Sequence, residues 1–135
     1  MSTVYEAFGT DTDLEKKGIW LDYGDFKILV ARAGGDNKKF SKRMETLTRP
    51  YRRAIQTETL ATGKADELVM QAFAQTVVLG WEGVTDKEGN SIEFSSVACL
   101  KLFEDLPDLF IDVREQASKW NLFKQDLFEG DSKNL

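Results

Sequence analysis

Between Ala65 and Gly80 the side chains Ala65, Leu68, Val69, Ala72, Phe73, Thr76, Val77 and Gly80 recur at steps of three and four, while Glu67, Gln71 and Gln75 fall off that stripe. This spacing predicts a helix over about 65–81 with a wide apolar face, which a soluble chain has to bury. The rest of the 135-residue chain is long enough to supply that core but comprises one ordinary domain. Hydrophobic residues make up 41% and charged residues 30%, and nine Phe, three Trp and three Tyr require a packed interior or an interface.

The flanking segments read as follows. Residues 1–17 are polar and carry Thr10-Asp11-Thr12-Asp13, the pattern of a flexible N-terminal arm, with Tyr5 and Phe8 as docking side chains. Gly18 to Ala33 reads as a β-hairpin. Ile19, Leu21 and Tyr23 alternate with Trp20 and Asp22, and Phe26, Ile28 and Val30 with Lys27, Leu29 and Ala31, around a Gly24-Asp25 turn. Gly34-Gly35 ends the second strand, and Asp36 or Asn37 can cap a helix running from Lys38 to about Leu60. That helix has the stripe Phe40, Met44, Leu47, Tyr51, Ala54 and Ile55, and Pro50 predicts a kink or two nearly collinear pieces. Residues 81–94 read as a second hairpin or extended excursion turning at Gly89-Asn90, with Ser95 capping a helix over about 96–105 that buries Val97, Leu100 and Phe103. Pro107 opens a last helix with the stripe Leu109, Phe110, Val113, Ala117 and Trp120, extended by Phe123 and Leu127. The expected architecture is α+β and mainly α-helical: an N-terminal hairpin, then four or five amphipathic helices and a short excursion near 81–94. Residues 18–129 form the single globular domain and 130–135 a frayed end.

Several chemistries are excluded. The chain has no His, so imidazole catalysis and His-ligated metals are impossible. Cys99 is the one cysteine, which rules out an internal disulfide, a multi-thiolate zinc site and a Cys–His dyad; in an apolar stripe it reads as a small buried hydrophobe. The cluster Glu104, Asp105, Asp108, Asp112 and Glu115 lacks the order of a calcium loop, and Asp86 to Asn90 is too short for one. Acids near helix starts are the simpler reading of both. Gly34-Gly35 is followed by no phosphate-binding pattern. The start shows no signal-peptide pattern and no apolar run is long enough to span a bilayer, which together with a single thiol fits a reducing cytoplasm. The expectation is a binding or assembly protein, not an enzyme, with no cofactor and no metal.

The strong anomaly is charge. Seven bases oppose Glu45 between Lys38 and Arg53, giving 7 − 1 = +6, whereas residues 1–25 and 104–135 are each −4 (6 acids and 2 bases; 8 acids and 4 bases) within a chain of net −5. Lys39, Lys42, Arg43, Arg49, Arg52 and Arg53 are therefore the candidate site. An acidic-ended chain with a basic middle can pair with its own copies, so a homo-oligomer is expected. The overall acidity, and the lack of aromatics interleaved on the basic side, argue against nucleic acid as the main partner.

The order of these segments, and three stretches above all, resemble a known family. The stretches are Trp81-Glu82-Gly83-Val84, Asp86-Lys87-Glu88-Gly89-Asn90 and Leu106-Pro107-Asp108-Leu109. The likeness, over about residues 18–128, is to the tail assembly chaperones of long-tailed bacteriophages and prophages. It implies a mainly helical, self-associating protein of the host cytoplasm that is absent from the mature virion. Such a protein binds the tape measure protein, keeps it soluble and promotes tail tube assembly. It also implies that a frameshifted longer form, if made, contacts the tail tube protein. The alternatives are a structural tail-completion or head–tail connector protein, or a nucleic-acid-binding regulator using helix 38–53.

Overall fold

A computed structural model describes residues 3–35 and 37–123. The fold is α+β and mainly helical, with one small antiparallel sheet. Two short helices, α1 (Val4–Phe8) and α2 (Thr12–Lys17), precede strands β1 (Ile19–Asp22) and β2 (Lys27–Val30). Then come α3 (Lys38–Thr48), a 3₁₀ turn (Arg49–Tyr51), α4 (Arg52–Gln56) and α5 (Lys64–Ala72). A π turn (Phe73–Val77) leads into β3 (Val78–Glu82), followed by α6 (Ser96–Asp105), α7 (Pro107–Ala117) and a 3₁₀ turn (Trp120–Phe123).

The hairpin forms as its alternation predicts. Leu21 pairs with Ile28 and Asp22 with Lys27, and the Tyr23 N–H donates to the Phe26 carbonyl across Gly24-Asp25. Gly24 has φ +93°, the left-handed value a Gly-first turn needs. Leu21, Ile28 and Val30 are buried, and Trp20 points away at 47% exposure.

The stripe at 65–80 is where sequence and structure part. The α-helix ends at Ala72, a π turn carries the chain to Val77, and residues 78–82 become a strand beside β2. Two physical reasons apply. Thr76-Val77-Val78 is a β-branched run, which is stiff in a helix and favoured in a strand. The outer edge of β2 also needs partners: Ile28 pairs with Trp81 and Leu29 with Gly80, and the Ala31 N–H donates to the Val77 carbonyl. The stripe still belongs to the interior, because the π turn keeps Phe73, Ala74 and Val77 buried with Val78.

The core lies between the sheet, the π turn and helices α6 and α7. Leu21, Ile28, Val30, Phe73, Val77, Cys99, Phe103, Phe110, Val113 and Ala117 form one cluster. Phe73 meets Phe40 and Phe110 edge-on, with ring centroids 5.1 and 5.4 Å away. On α6, Cys99 and Phe103 face inward, so the expected burial of Val97 is wrong: it is 80% exposed.

The expected loose arm is corrected too. Residues 3–17 hold α1 and α2, and α2 docks through Glu15. The Glu15 carboxylate is buried, 2.7 Å from Arg32 Nη1, and also accepts the Thr10 hydroxyl, while its carbonyl accepts the Arg32 N–H. Asn37, also buried, donates from Nδ2 to the Arg32 carbonyl, so α2, the end of β2 and the start of α3 share one polar knot. The Asp36 cap, the Leu127 extension and the frayed end at 130–135 lie outside the described residues, and nothing is described for the Trp120 side chain.

The three stretches that carry the family resemblance are folding devices. Trp81 Nε1 donates to the Ile92 carbonyl at 2.8 Å, and Val84 is buried. Gly83, at φ +77°, lets the chain pass so close to Asp25 that a Cβ would lie 2.6 Å from its carbonyl oxygen. Asp86 accepts from the backbone N–H groups of Asn90 and Glu88, which holds its carboxyl below the ordinary value and closes the turn. Leu106-Pro107 is the α6–α7 junction, with Pro107 in the first turn of α7.

Candidate partner-binding surface

α3, the 3₁₀ turn and α4 form an interrupted helix that buries none of its residues. Thr48 continues in right-handed conformation through Pro50, and α4 resumes at Arg52. The proline therefore produces two pieces joined by a 3₁₀ turn. Phe40, Met44, Leu47, Tyr51 and Ala54 are only half-buried, and Ile55 is 44% exposed. On the other side Lys39, Lys42, Arg43, Arg49, Arg52 and Arg53 are all exposed. Among the described residues their one ion pair is Arg49 Nη2 to Glu45 Oε1 at 3.9 Å, between two solvated side chains.

Beside the basic face, α3 and α4 leave a groove against α5. It is lined by Met44, Thr48, Ala54, Ile55, Glu58, Leu60, Ala65, Leu68 and Val69 and encloses about 330 Å³. The lining is largely aliphatic, and the volume is of the order that takes a small ligand or a few side chains of a docked helix. At the start of α5, Lys64 Nζ sits 5.0 Å over the Tyr51 ring and 3.3 Å from Glu67, tying α5 to the 3₁₀ turn.

Part of the groove depends on how α4 stops, since Glu58 and Leu60 line it. The sequence predicts helix to about Leu60, but the chain leaves at Gln56. The Thr59 N–H bonds back to the Ala54 carbonyl at 2.8 Å and the Glu58 N–H to the Ile55 carbonyl at 3.3 Å. Glu58 adopts φ +57°, the left-handed position that usually carries glycine. Because a glutamate stands there, the stop has no sequence signal, and Leu60 is delivered to the groove instead of extending the helix.

A second hollow, about 310 Å³, lies near the start of α3 between Lys16, Ala31, Asn37, Lys38, Lys39, Thr76 and Leu79. The Asn37 amide there donates from Nδ2 to the Arg32 carbonyl at 2.9 Å.

Of the acidic cluster, Asp112, Asp105 and Glu115 have partners within the chain. The Tyr23 hydroxyl donates to Asp112 at 2.6 Å; burial first, then this carboxylate, raise its pKa. Asp105 pairs with Lys101 at 3.1 Å. Burial pushes the Cys99 thiol up to about 12, so its thiolate is not accessible near neutral pH. Among the described residues, no three His, Cys, Asp or Glu side chains group closely enough to hold a metal ion. No helix there is long and apolar enough to cross a membrane.

A family model described as YdaY prophage protein matches residues 35–134, well over half of the chain. The chain belongs to the YdaY prophage protein family. The match takes in both walls of the groove, the basic face, β3 and helices α6 and α7, and starts after the N-terminal helices and the hairpin. No curated protein and no solved structure matches. The family places the chain among phage- or prophage-derived proteins.

Proposed function

We propose that the chain is a non-enzymatic tail assembly chaperone, which binds the tape measure protein in the host cytoplasm and is not kept in the virion. The observation that carries this reading is the open aliphatic groove between α3–α4 and α5, flanked by solvated bases, in a prophage-family chain. A tape measure protein is a long helical chain with much apolar surface. An amphipathic helix lays its apolar side into such a groove, and anchors at three- and four-residue steps fit its aliphatic lining. Arg49, Arg52 and Arg53 then lie close enough to orient acidic residues beside those anchors. Binding of this kind needs no cofactor, because covering apolar surface is enough to prevent aggregation. Contact with the tail tube protein, through a longer frameshifted form, belongs to the same proposal.

Co-expression with the large helical tail protein encoded by the same prophage tests the proposal. The large protein is expected in the soluble fraction with the chain and in the pellet without it. A large protein that stays insoluble in both cases overturns the reading. A connector or tail-completion protein would instead be recovered in finished particles.

A further inference from the structure

We propose that Glu58 determines the specificity of the α3/α4–α5 groove, by pairing with a basic side chain that a docked helix carries beside its apolar anchors. The inference rests on the groove reading above and deepens it. The partner becomes an amphipathic helix with acids along one flank and a base placed to meet Glu58.

Among the described residues Glu58 is the one non-glycine with a positive φ, +57°. It stands just past the end of α4, where the Thr59 N–H bonds back to the Ala54 carbonyl and its own N–H to the Ile55 carbonyl. Both bonds are made by the backbone, and glycine makes them without the crowding of a Cβ. A glutamate in this conformation strains the folded chain unless its side chain finds contacts that offset the strain. Polar contacts of that kind are missing inside the chain. Among the described residues the Glu58 carboxylate has neither a hydrogen bond nor an ion pair, although Arg52 and Arg53 lie on the helix just before it. The side chain is left exposed to solvent.

The groove gives that carboxylate a use. Glu58 is the one charged residue of the lining, whose other members include Met44, Ile55, Leu60, Leu68 and Val69. A helix that sets its apolar anchors among these side chains brings its flank against Glu58. An unpaired carboxylate loses hydration there, whereas a Lys or Arg on the docked helix replaces the lost water with a charge-assisted hydrogen bond. The exposed Arg49, Arg52 and Arg53 favour acids on the same occupant. The surface thus carries two signs, one set by the arginines and the other by Glu58. Such a pattern discriminates between helices of equal apolarity, because an acid opposite Glu58 brings like charges together.

Fluorescence anisotropy on the full chain tests this. Overlapping peptides covering the large helical tail protein of the same prophage identify the tightest binder, and Ile55→Glu checks that it occupies the groove. Each Lys or Arg of that peptide is then changed to Gln and titrated into wild type, Glu58→Gln and Glu58→Gly. One base is expected to couple to Glu58: its loss weakens binding to wild type about fivefold, the size of one good exposed ion pair, and leaves binding to either variant unchanged. Glu58→Gly is expected to lose as much affinity as Glu58→Gln while its thermal midpoint rises, a combination that a purely structural glutamate would not give. A tightest peptide without a base, variants that bind as tightly as wild type, or additive losses at every base would each overturn the proposal and leave the groove reading intact. Peptides that fail to bind, or that bind Ile55→Glu as tightly as wild type, would overturn the groove reading and this proposal with it.

Discussion

At the scale of single residues, Phe73 is the side chain on which most of the interior converges. It is fully buried and touches both Phe40 of α3 and Phe110 of α7. Phe73→Ala is expected to cost roughly 3–5 kcal/mol, since it removes the ring and leaves a cavity where three elements meet. Urea unfolding followed by circular dichroism measures it, and a loss below about 1 kcal/mol would mean the site collapses or is exposed. Cys99 is expected to resist alkylation in the native protein over a time that fully labels the chain in urea. Its sign with pH follows from burial. The thiol is neutral in both states below about 9.0, the unperturbed value, so it contributes nothing there. Between about 9 and about 12 the unfolded thiol ionises and the folded one does not, so stability falls as pH rises. Cys99→Ala is expected to flatten that alkaline slope without altering assembly, which unfolding at several alkaline pH values checks.

At the scale of elements, the sequence was most legible where one signal acted alone. The β1–β2 hairpin follows from strict alternation around Gly24-Asp25, and α6 starts where Ser95 caps it, with Oγ accepting the Ala98 N–H at 3.0 Å. It was least legible where two signals competed. The stripe from Ala65 to Gly80 has helical spacing throughout, but pairing with β2 outweighs it beyond Val77. The Glu15–Arg32 knot joins residues 17 apart, and nothing in a polar segment marks Glu15 as the acid that is buried. Half of the candidate site was legible: the basic side and the apolar stripe of 38–55. The groove was not, because its other wall is on α5 and part of its lining depends on Glu58 in a left-handed conformation. That position yields a prediction. Glu58→Gly keeps the helix-stop hydrogen bonds and relieves the backbone, so it is expected to stabilise the fold by about 1 kcal/mol. An upward shift of a few degrees in thermal midpoint would show it, and destabilisation would mean the glutamate side chain contributes contacts that outweigh the strain.

At the scale of the whole molecule, the fold keeps the uneven charge of the sequence on its surface. The basic residues of α3 and α4 stay solvated, and their one partner within the described residues is Glu45. Exposed pairs contribute about 0–1 kcal/mol each, so several must act together to hold a partner, and salt screens them within about 8 Å. Changing Arg49, Arg52 and Arg53 together to Glu is expected to preserve helix content and to weaken self-association, with wild type showing the same weakening at high salt. Equal sedimentation of wild type and variant at two salt concentrations would assign these arginines to a solvated face.

The central claim is that the groove holds an apolar helix of a tape measure protein. The most direct measurement is titration of a helical segment of that protein into wild type and into Ile55→Glu, by calorimetry at low and high salt. Wild type is expected to retain binding at high salt with a negative heat-capacity change, the mark of buried apolar surface. The groove variant is expected to bind at least tenfold more weakly at both salts. Equal binding by wild type and variant, or binding abolished by salt alone, would contradict the account.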